Sequence, residues 1–244
     1  MRILEYTISF LLIVCSLKAS AQVDSIATDS STVNKFIPTG IRVGLDLVSL
    51  GQGVVDKGLS ALTQADVRQW KISADVDFYR YFLNLEYGIF ERQWNGPNDA
   101  SIYQNKGNFF KVGADINFLH RDPDQSALFF GIRYAQANYE DRLIYDYTSD
   151  FWGNGTESLQ NPALRSSWYE LTTGLKVKLY KFIWSGYTAR FKFSVNDNYS
   201  NNELAPLWIP GYGRATEESL WGFEYWLIFK IPFREYTPAP KRKD

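Results

Sequence analysis

The side chains able to do chemistry are unevenly distributed along this chain. It has one histidine, His120, and one cysteine, Cys15, among 244 residues. His120 lies beside Arg121 and Asp122, next to the turn residues Asp122-Pro123-Asp124, and no serine or cysteine nucleophile neighbours it. A general base needs a partner within hydrogen-bond reach, so His120 reads as a solvated turn residue. No run of His, Cys and Asp has metal-ligand spacing, and no glycine-rich loop precedes a helix to cradle phosphate. Catalytic, metal and cofactor residues are therefore expected to be none. Asn154-Gly-Thr and Asn198-Tyr-Ser match the glycosylation pattern and read as chance matches. What remains is a large set of charges alternating with apolar residues: the bases Arg42, Lys71, Lys111, Arg133, Lys176, Lys178, Arg190, Lys192 and Lys230, and the acids Asp46, Asp75, Asp77, Glu86, Asp115, Glu170 and Glu224. Charges enclosed together must pair, or each costs several kcal/mol. The near balance of signs predicts a salt-bridge network, centred on Arg42, Asp46, Lys71, Asp75, Glu86, Lys111, Asp115, Arg133, Glu170, Lys176, Arg190 and Glu224.

The elements that must position these charges are strands. Along Trp221 to Phe233 every second residue is apolar or aromatic (Trp221, Phe223, Tyr225, Leu227, Phe229, Ile231, Phe233), with Gly222, Glu224 and Lys230 among those between. Period-two alternation sends successive side chains to opposite faces. The same pattern predicts strands over 41–47, 70–78, 81–89, 110–118, 128–135, 169–179 and 183–193, which makes eight with the last. Connections alternate in length. Tyr79-Arg80, His120 to Gln125 and Tyr180 to Phe182 are short; Leu50 to Arg68, Arg92 to Asn108, Glu140 to Ser167 and Asn196 to Ser219 are long. Among the long segments, Tyr147, Trp152, Trp208 and Tyr212 are candidate binding aromatics, because aromatic loops can hold glycan, lipid or protein.

Alternation alone leaves open which face is inside. A soluble barrel would hide the apolar face. Glycine argues for the reverse: Gly44, Gly88, Gly113, Gly131, Gly174, Gly186 and Gly222 all share the polar face. Glycine weakens an exposed strand but makes room in the crowded interior of a small barrel. Aromatics at the ends of the apolar face (Trp70, Phe78, Phe110, Phe118, Trp221, Phe233) suit interfacial girdles, as does an aromatic content of 17%. The expected fold class is all-β, an eight-stranded antiparallel transmembrane up-and-down β-barrel.

The ends of the chain supply an address. Arg2, the apolar run Ile8 to Leu17 and Ala19-Ser20-Ala21 form a secretory signal over 1–21. Its apolar run is shorter than the ~20 residues of a membrane span. Cys15 lies within it, and Val14 fits a lipoprotein cleavage site poorly, so no lipid anchor is expected. Residues 22–40 read as a flexible leader rich in Ser, Thr and Asp, 41–233 as the barrel, and 234–244 as a short basic tail. With both ends on the short-turn side, both termini are expected in the periplasm. A net charge of −1 gives no argument for nucleic acid.

Signal, alternating segments and aromatic closing strand together resemble the small eight-stranded outer-membrane barrels of Gram-negative bacteria, nearest to an uncharacterised barrel family. That resemblance implies outer-membrane lipid as surroundings. It leaves function open, because the fold hosts anchors, adhesins, enzymes and complex subunits. Enzymes of this fold known from the family use a His with Ser, Asp or Glu near the outer rim, and His120 falls at the opposite end. The expectation is a non-enzymatic interaction subunit of an outer-membrane complex, with protein partners and a role in envelope biogenesis or outer-membrane protein assembly. The alternatives are a surface glycan- or lipid-binding barrel and, behind it, a lipid-modifying enzyme. A filled interior is expected rather than a conducting pore.

Overall fold

A computed structural model describes residues 38–51, 67–78, 80–96, 101–120, 122, 125–149, 151, 153–197 and 204–233. The predicted signal, nearly all of the leader, and the tail lie outside them. The described elements are strands β1 (Gly40–Asp46), β2 (Val67–Phe78), β3 (Tyr81–Asn95), β4 (Ser101–Asn117), β5 (Ala127–Ser149), β6 (Gly153–Tyr180), β7 (Ile183–Asp197), the two-residue β8 (Trp208–Ile209) and β9 (Gly213–Arg214), and β10 (Ser219–Pro232). Strands β1 to β7 and β10 close into an antiparallel barrel, each pairing with its sequence neighbour, and β1 meets β10 at the seam. The seam register runs from Gly40 opposite Pro232 to Asp46 opposite Trp226. Closure pairs the backbone of every barrel strand on both sides, as a hydrocarbon surrounding demands.

The apolar face is the outside. Leu85 (53% exposed), Ile132 (53%), Trp221 (66%) and Ile231 (57%) point outward, whereas Arg190, Glu170 and Asp115 are fully buried. This inverts the usual soluble arrangement, because the solvent of the outer wall is hydrocarbon. Aromatic rings ladder across the outside at the long-loop end. Tyr134 meets Tyr169 (5.6 Å), Tyr169 meets Phe193 (6.3 Å), Phe193 meets Phe191 (5.8 Å), and Phe191 meets Trp221 (5.1 Å). Trp70 and Tyr87 continue the level on β2 and β3 at 6.0 Å. Exposed Tyr81, Phe118, Tyr180 and Phe182 mark the short-turn end.

Two glycines on the inner face show why the interior needs them. A Cβ on Gly131 would collide with the Asp115 carboxylate, and one on Gly88 would enter the Phe109 ring. Those sites are filled from the neighbouring strand.

The structure corrects several expectations. Residues 140–167 and 92–108 are not loops for most of their length. Strands β5 and β6 stay paired out to Ser149 opposite Gly153, and β3 and β4 to Asn95 opposite Ile102. Strands β3 to β6 thus form a wall that outruns β2, whose pairing with β3 ends at Val67 opposite Arg92. The outer face of that wall meets water and its buried inner face carries polar residues such as Asn105, Asp141 and Asn161, so no strict apolar alternation announced it. An extra residue in β6 between Asn161 and Leu164, opposite Tyr139 to Asp141, shifts the phase of that strand as well. Lys178 does not point into the interior but is exposed. It stands beside the irregularity between Lys178 and Tyr180, where β6 enters its turn. Residues 47–51 form a helical turn instead of extending the first strand.

Candidate functional site

The interior is a stack of charge layers capped by a folded segment. Nearest the short turns, Arg42 holds Asp75 (3.3 Å) and Asp77 (2.8 Å), Lys176 holds Asp75 (2.6 Å), and Lys230 holds Asp77 (3.3 Å). Cations outnumber carboxylates in this layer, and aromatic faces make up the difference. The Arg42 guanidinium lies 4.5 Å from the Phe82 ring centre and 5.2 Å from that of Trp184. The Lys176 ammonium sits 5.0 Å from Phe82 and 5.1 Å from Phe129. Desolvated cation–π contacts of this kind contribute about 2 kcal/mol.

The next layer is organised by Arg190 of β7. Its guanidinium pairs with Glu86 of β3 (2.7 Å), Glu170 of β6 (2.7 Å) and Glu224 of β10. Arg133 of β5 pairs with Glu86 and, at 3.0 Å, with Asp115. Lys111 holds Glu170 at 2.7 Å, and Lys71 joins Asp46 (3.0 Å) to Glu224. The Trp168 indole donates to Glu170 Oε1 at 2.8 Å. All twelve residues of the expected network lie in these two layers and each makes at least one ion pair. Long cations alternate with carboxylates across these layers, and side chains fill an eight-stranded interior.

Above the charges, residues 204–218 fold into the mouth. Gly211 stands with φ +78°, and a Cβ there would come within 2.6 Å of the Phe109 ring. Lys192 Nζ donates to the carbonyls of Gly211 (2.9 Å) and Tyr212 (2.7 Å), so a cation from the barrel grips a backbone turn of the segment. Ile209 and Tyr212 are buried against Phe109, Leu164 and Trp168. The wall holds the same segment from the side: Asn105 Nδ2 donates to Trp208 O (2.9 Å), Asn161 Nδ2 to Leu204 O (2.8 Å), and Leu207 N to Tyr103 Oη (3.1 Å).

The candidate binding aromatics are not brought together. Tyr212 is buried in the cap, its hydroxyl donating to Glu217 O at 2.7 Å. Trp208 is half-buried between Phe90 (6.2 Å, stacked) and Trp94 (6.0 Å, edge-on). Tyr147 lies far along β5 opposite Gly155, its ring over that glycine. Trp152 lies outside the described residues. Sequence reasoning missed Trp94, Tyr103, Asn105 and Asn161, which tie the cap to the wall; the aromatic pair Trp94 and Tyr103 was the available signal. His120 is in the turn after β4. Among the described residues no group of three His, Cys, Asp or Glu could hold a metal.

One titratable cluster stands in the wall beyond the lipid-facing stretches. Asp141 accepts from Tyr103 Oη (2.8 Å) and Asn161 Nδ2 (2.7 Å). Burial pushes the Asp141 carboxyl above its ordinary range, against the pull of those two donors. Tyr103 is pushed up by burial and by the Asp141 charge. A carboxyl with a raised folded-state pKa contributes stability below its unfolded value and loses it as pH rises through the folded value. Mild acid is therefore expected to tighten the hold on the cap. Proteolysis of the 204–218 segment should slow as pH falls from 7 toward 4, and Asp141→Asn should remove that dependence. Cleavage that quickens in acid in the native chain would contradict it.

A closed barrel with a lipid-compatible belt, two aromatic levels and an ion-paired charged interior defines the class: an integral outer-membrane β-barrel. The chain belongs to the family DUF6048, a domain of unknown function, whose model matches residues 3–236. No curated protein matches the chain in sequence. Among solved structures it is similar to Ail, the attachment invasion locus protein of Yersinia pestis, in complex with the heparin analogue sucrose octasulfate. That similarity has 9% identity and a TM-score of 0.34, over 80% of this chain and 96% of that one. It is also similar to CarO of Acinetobacter baumannii, with 11% identity and a TM-score of 0.39, over 82% of this chain and 100% of that one.

Proposed function

We propose that this protein is a non-enzymatic, non-conducting outer-membrane barrel that serves as an interaction subunit of an outer-membrane complex. The observation that carries the reading is the contrast between its two parts. The lumen is filled with paired charges and closed by its own segment, while β3 to β6 continue past the barrel as a wall. A protruding sheet costs ordering entropy, and a barrel that only spanned the membrane would not need it. In this reading the signal directs export, both termini lie in the periplasm, and the wall stands on the outer side. Envelope biogenesis or assembly of other barrels is the setting we propose for the complex.

Affinity purification of a C-terminally tagged form from membranes in mild detergent tests it. A reproducible, near-stoichiometric set of outer-membrane partners is the expected result, and shortening the β5–β6 hairpin should release them. Recovery of the barrel alone at high yield would overturn the subunit reading. Planar bilayers holding the purified barrel should be electrically silent, because the ion-paired layers occlude the axis. Steady single-channel steps would refute the non-conducting half.

A further inference from the structure

The cavity described in this structure lies on the outside of the wall, not on the barrel axis. It has a volume of about 280 Å³ and no aliphatic or aromatic residue in its lining. Its outward-facing residues fall into two cross-strand rows, with Arg92, Asn105 and Asp141 lining it from the strand positions between. Gln93, Gln104, Arg142 and Gln160 stand directly opposite one another along β3, β4, β5 and β6. Beneath them Glu91, Lys106 and Glu140 form a second row. Neighbours within the rows already touch. Gln104 Nε2 donates to Gln93 Oε1 at 3.0 Å, Arg142 Nη2 donates to Gln160 Oε1 at 3.2 Å, and Lys106 lies 3.9 Å from Glu91.

Three features fix what such a groove takes. Its outward side chains carry two carboxylates and two cations, so it has no net charge with which to select a strongly ionic ligand. Planar amide, carboxylate and guanidinium groups offer paired donors and acceptors, which suit vicinal hydroxyls. Its place is the third. The rows lie on the same outer face as the lipid belt, beyond its last apolar residues Ile89, Phe110 and Tyr134. At ~3.3 Å per residue that is roughly 7 to 26 Å along the strands. A molecule lying there stands beside the barrel at headgroup height.

We infer that this groove binds the sugar chain of a glycolipid in the surrounding leaflet, gripping hydroxyls rather than phosphates. The inference rests on the membrane-barrel class and is independent of any protein complex. The acyl chains would lie along the apolar belt below, so the belt and the groove together hold one molecule, and the anchored headgroup meets the groove at high effective concentration.

The test uses the full chain in nanodiscs with a phosphatidylglycerol matrix. Rough-type lipooligosaccharide or the matching lipid A, which lacks the core sugars, is added, and retained lipid is counted by native mass spectrometry. Heat-modifiable mobility in each preparation reports that the barrel is folded. Retention of lipooligosaccharide at least tenfold above lipid A is expected. In Gln104→Ala/Gln160→Ala, which alters one half-buried and one exposed position on the outer face, that preference should fall to near unity. Equal retention of the two lipids by the folded native chain would overturn the proposal, as would an unchanged preference in the double variant. Displacement by an equal concentration of free core oligosaccharide would overturn the lipid-anchored source. An unfolded barrel in every preparation would instead strike at the membrane-barrel class itself.

Discussion

Arg190→Met is expected to lower the unfolding free energy of the barrel by about 3–5 kcal/mol, the usual cost of removing one partner from a buried ion-paired cluster. Arg190 is fully buried and touches carboxylates from three strands, Glu86, Glu170 and Glu224. After its removal each carboxylate keeps a single cation: Arg133 for Glu86, Lys111 for Glu170, and Lys71 for Glu224. Because Arg133 also serves Asp115 and Lys71 also serves Asp46, the buried network is then one cation short. Methionine fills much of the volume, so the loss reports charge rather than a void. Urea titration of the barrel in detergent, read by heat-modifiable mobility, measures it. Adding Glu224→Gln to Arg190→Met restores the balance of charge and should recover a large share of the loss. A single variant within 0.5 kcal/mol of the native chain, taking ~0.5 as the spread of ordinary surface substitutions, would show that the pairing contributes nothing net.

Gly211→Val is expected to eject the cap. The residue sits at φ +78°, where a branched side chain is strained by roughly 1–2 kcal/mol, and its Cβ would come within 2.6 Å of the Phe109 ring. Overpacking adds about 1–3 kcal/mol. The barrel itself has little to lose, because strand pairing does not involve the segment and the charged interior touches it only through Lys111 and Lys192. Limited proteolysis should therefore cut within 204–218 at least tenfold faster, and fluorescence of Trp208 should shift to the red as it leaves Phe90 and Trp94. The barrel midpoint in urea should move little. Bilayers should stay silent, since the ion-paired layers remain. If ejecting the cap opened a steady conductance, the cap rather than the charge stack would be the barrier.

The barrel strands were legible because one face meets hydrocarbon and the other a packed interior. That difference prints itself as alternation, clearest in the run from Trp221 to Phe233. The charged interior was legible for the same reason, with the glycines marking which face is crowded. The wall was not. From Asn138 to Tyr147 the chain reads N-Y-E-D-R-L-I-Y-D-Y, with polar and apolar residues on both faces, and in the facing strand β6 an extra residue between Asn161 and Leu164 breaks the period. Lys178 was misplaced because a strand pattern carries no information about where its last residues turn away. The cap was hidden for another reason. Its anchors are backbone carbonyls of Leu204, Trp208, Gly211 and Tyr212, and side-chain type says nothing of a carbonyl's partner. Tyr212 looked like a ligand aromatic because a loop aromatic buried by its own barrel has the same letter as an exposed one.

The reach of the ion pairs constrains how such a barrel can be built. Lys71 of β2 meets Glu224 of β10, 153 residues later, across the strand that forms the seam. Lys230 reaches back to Asp77 over the same interval. Neither pair exists until first and last strands are brought together, so a half-curled sheet keeps its neighbour-strand pairs, such as Arg133 with Asp115 and Arg190 with Glu170, but leaves the charges that meet across the seam short of a partner. Such an intermediate cannot wait in the bilayer with that face toward acyl chains. Curling, dehydration of the lumen and zipping of β1 to β10 must coincide, or the unfinished face must be kept wet by a catalyst of insertion until the seam closes. The interior charges then act as a proofreading step. They penalise open or misregistered forms far more than they stabilise the finished barrel, and they make completion nearly all-or-none.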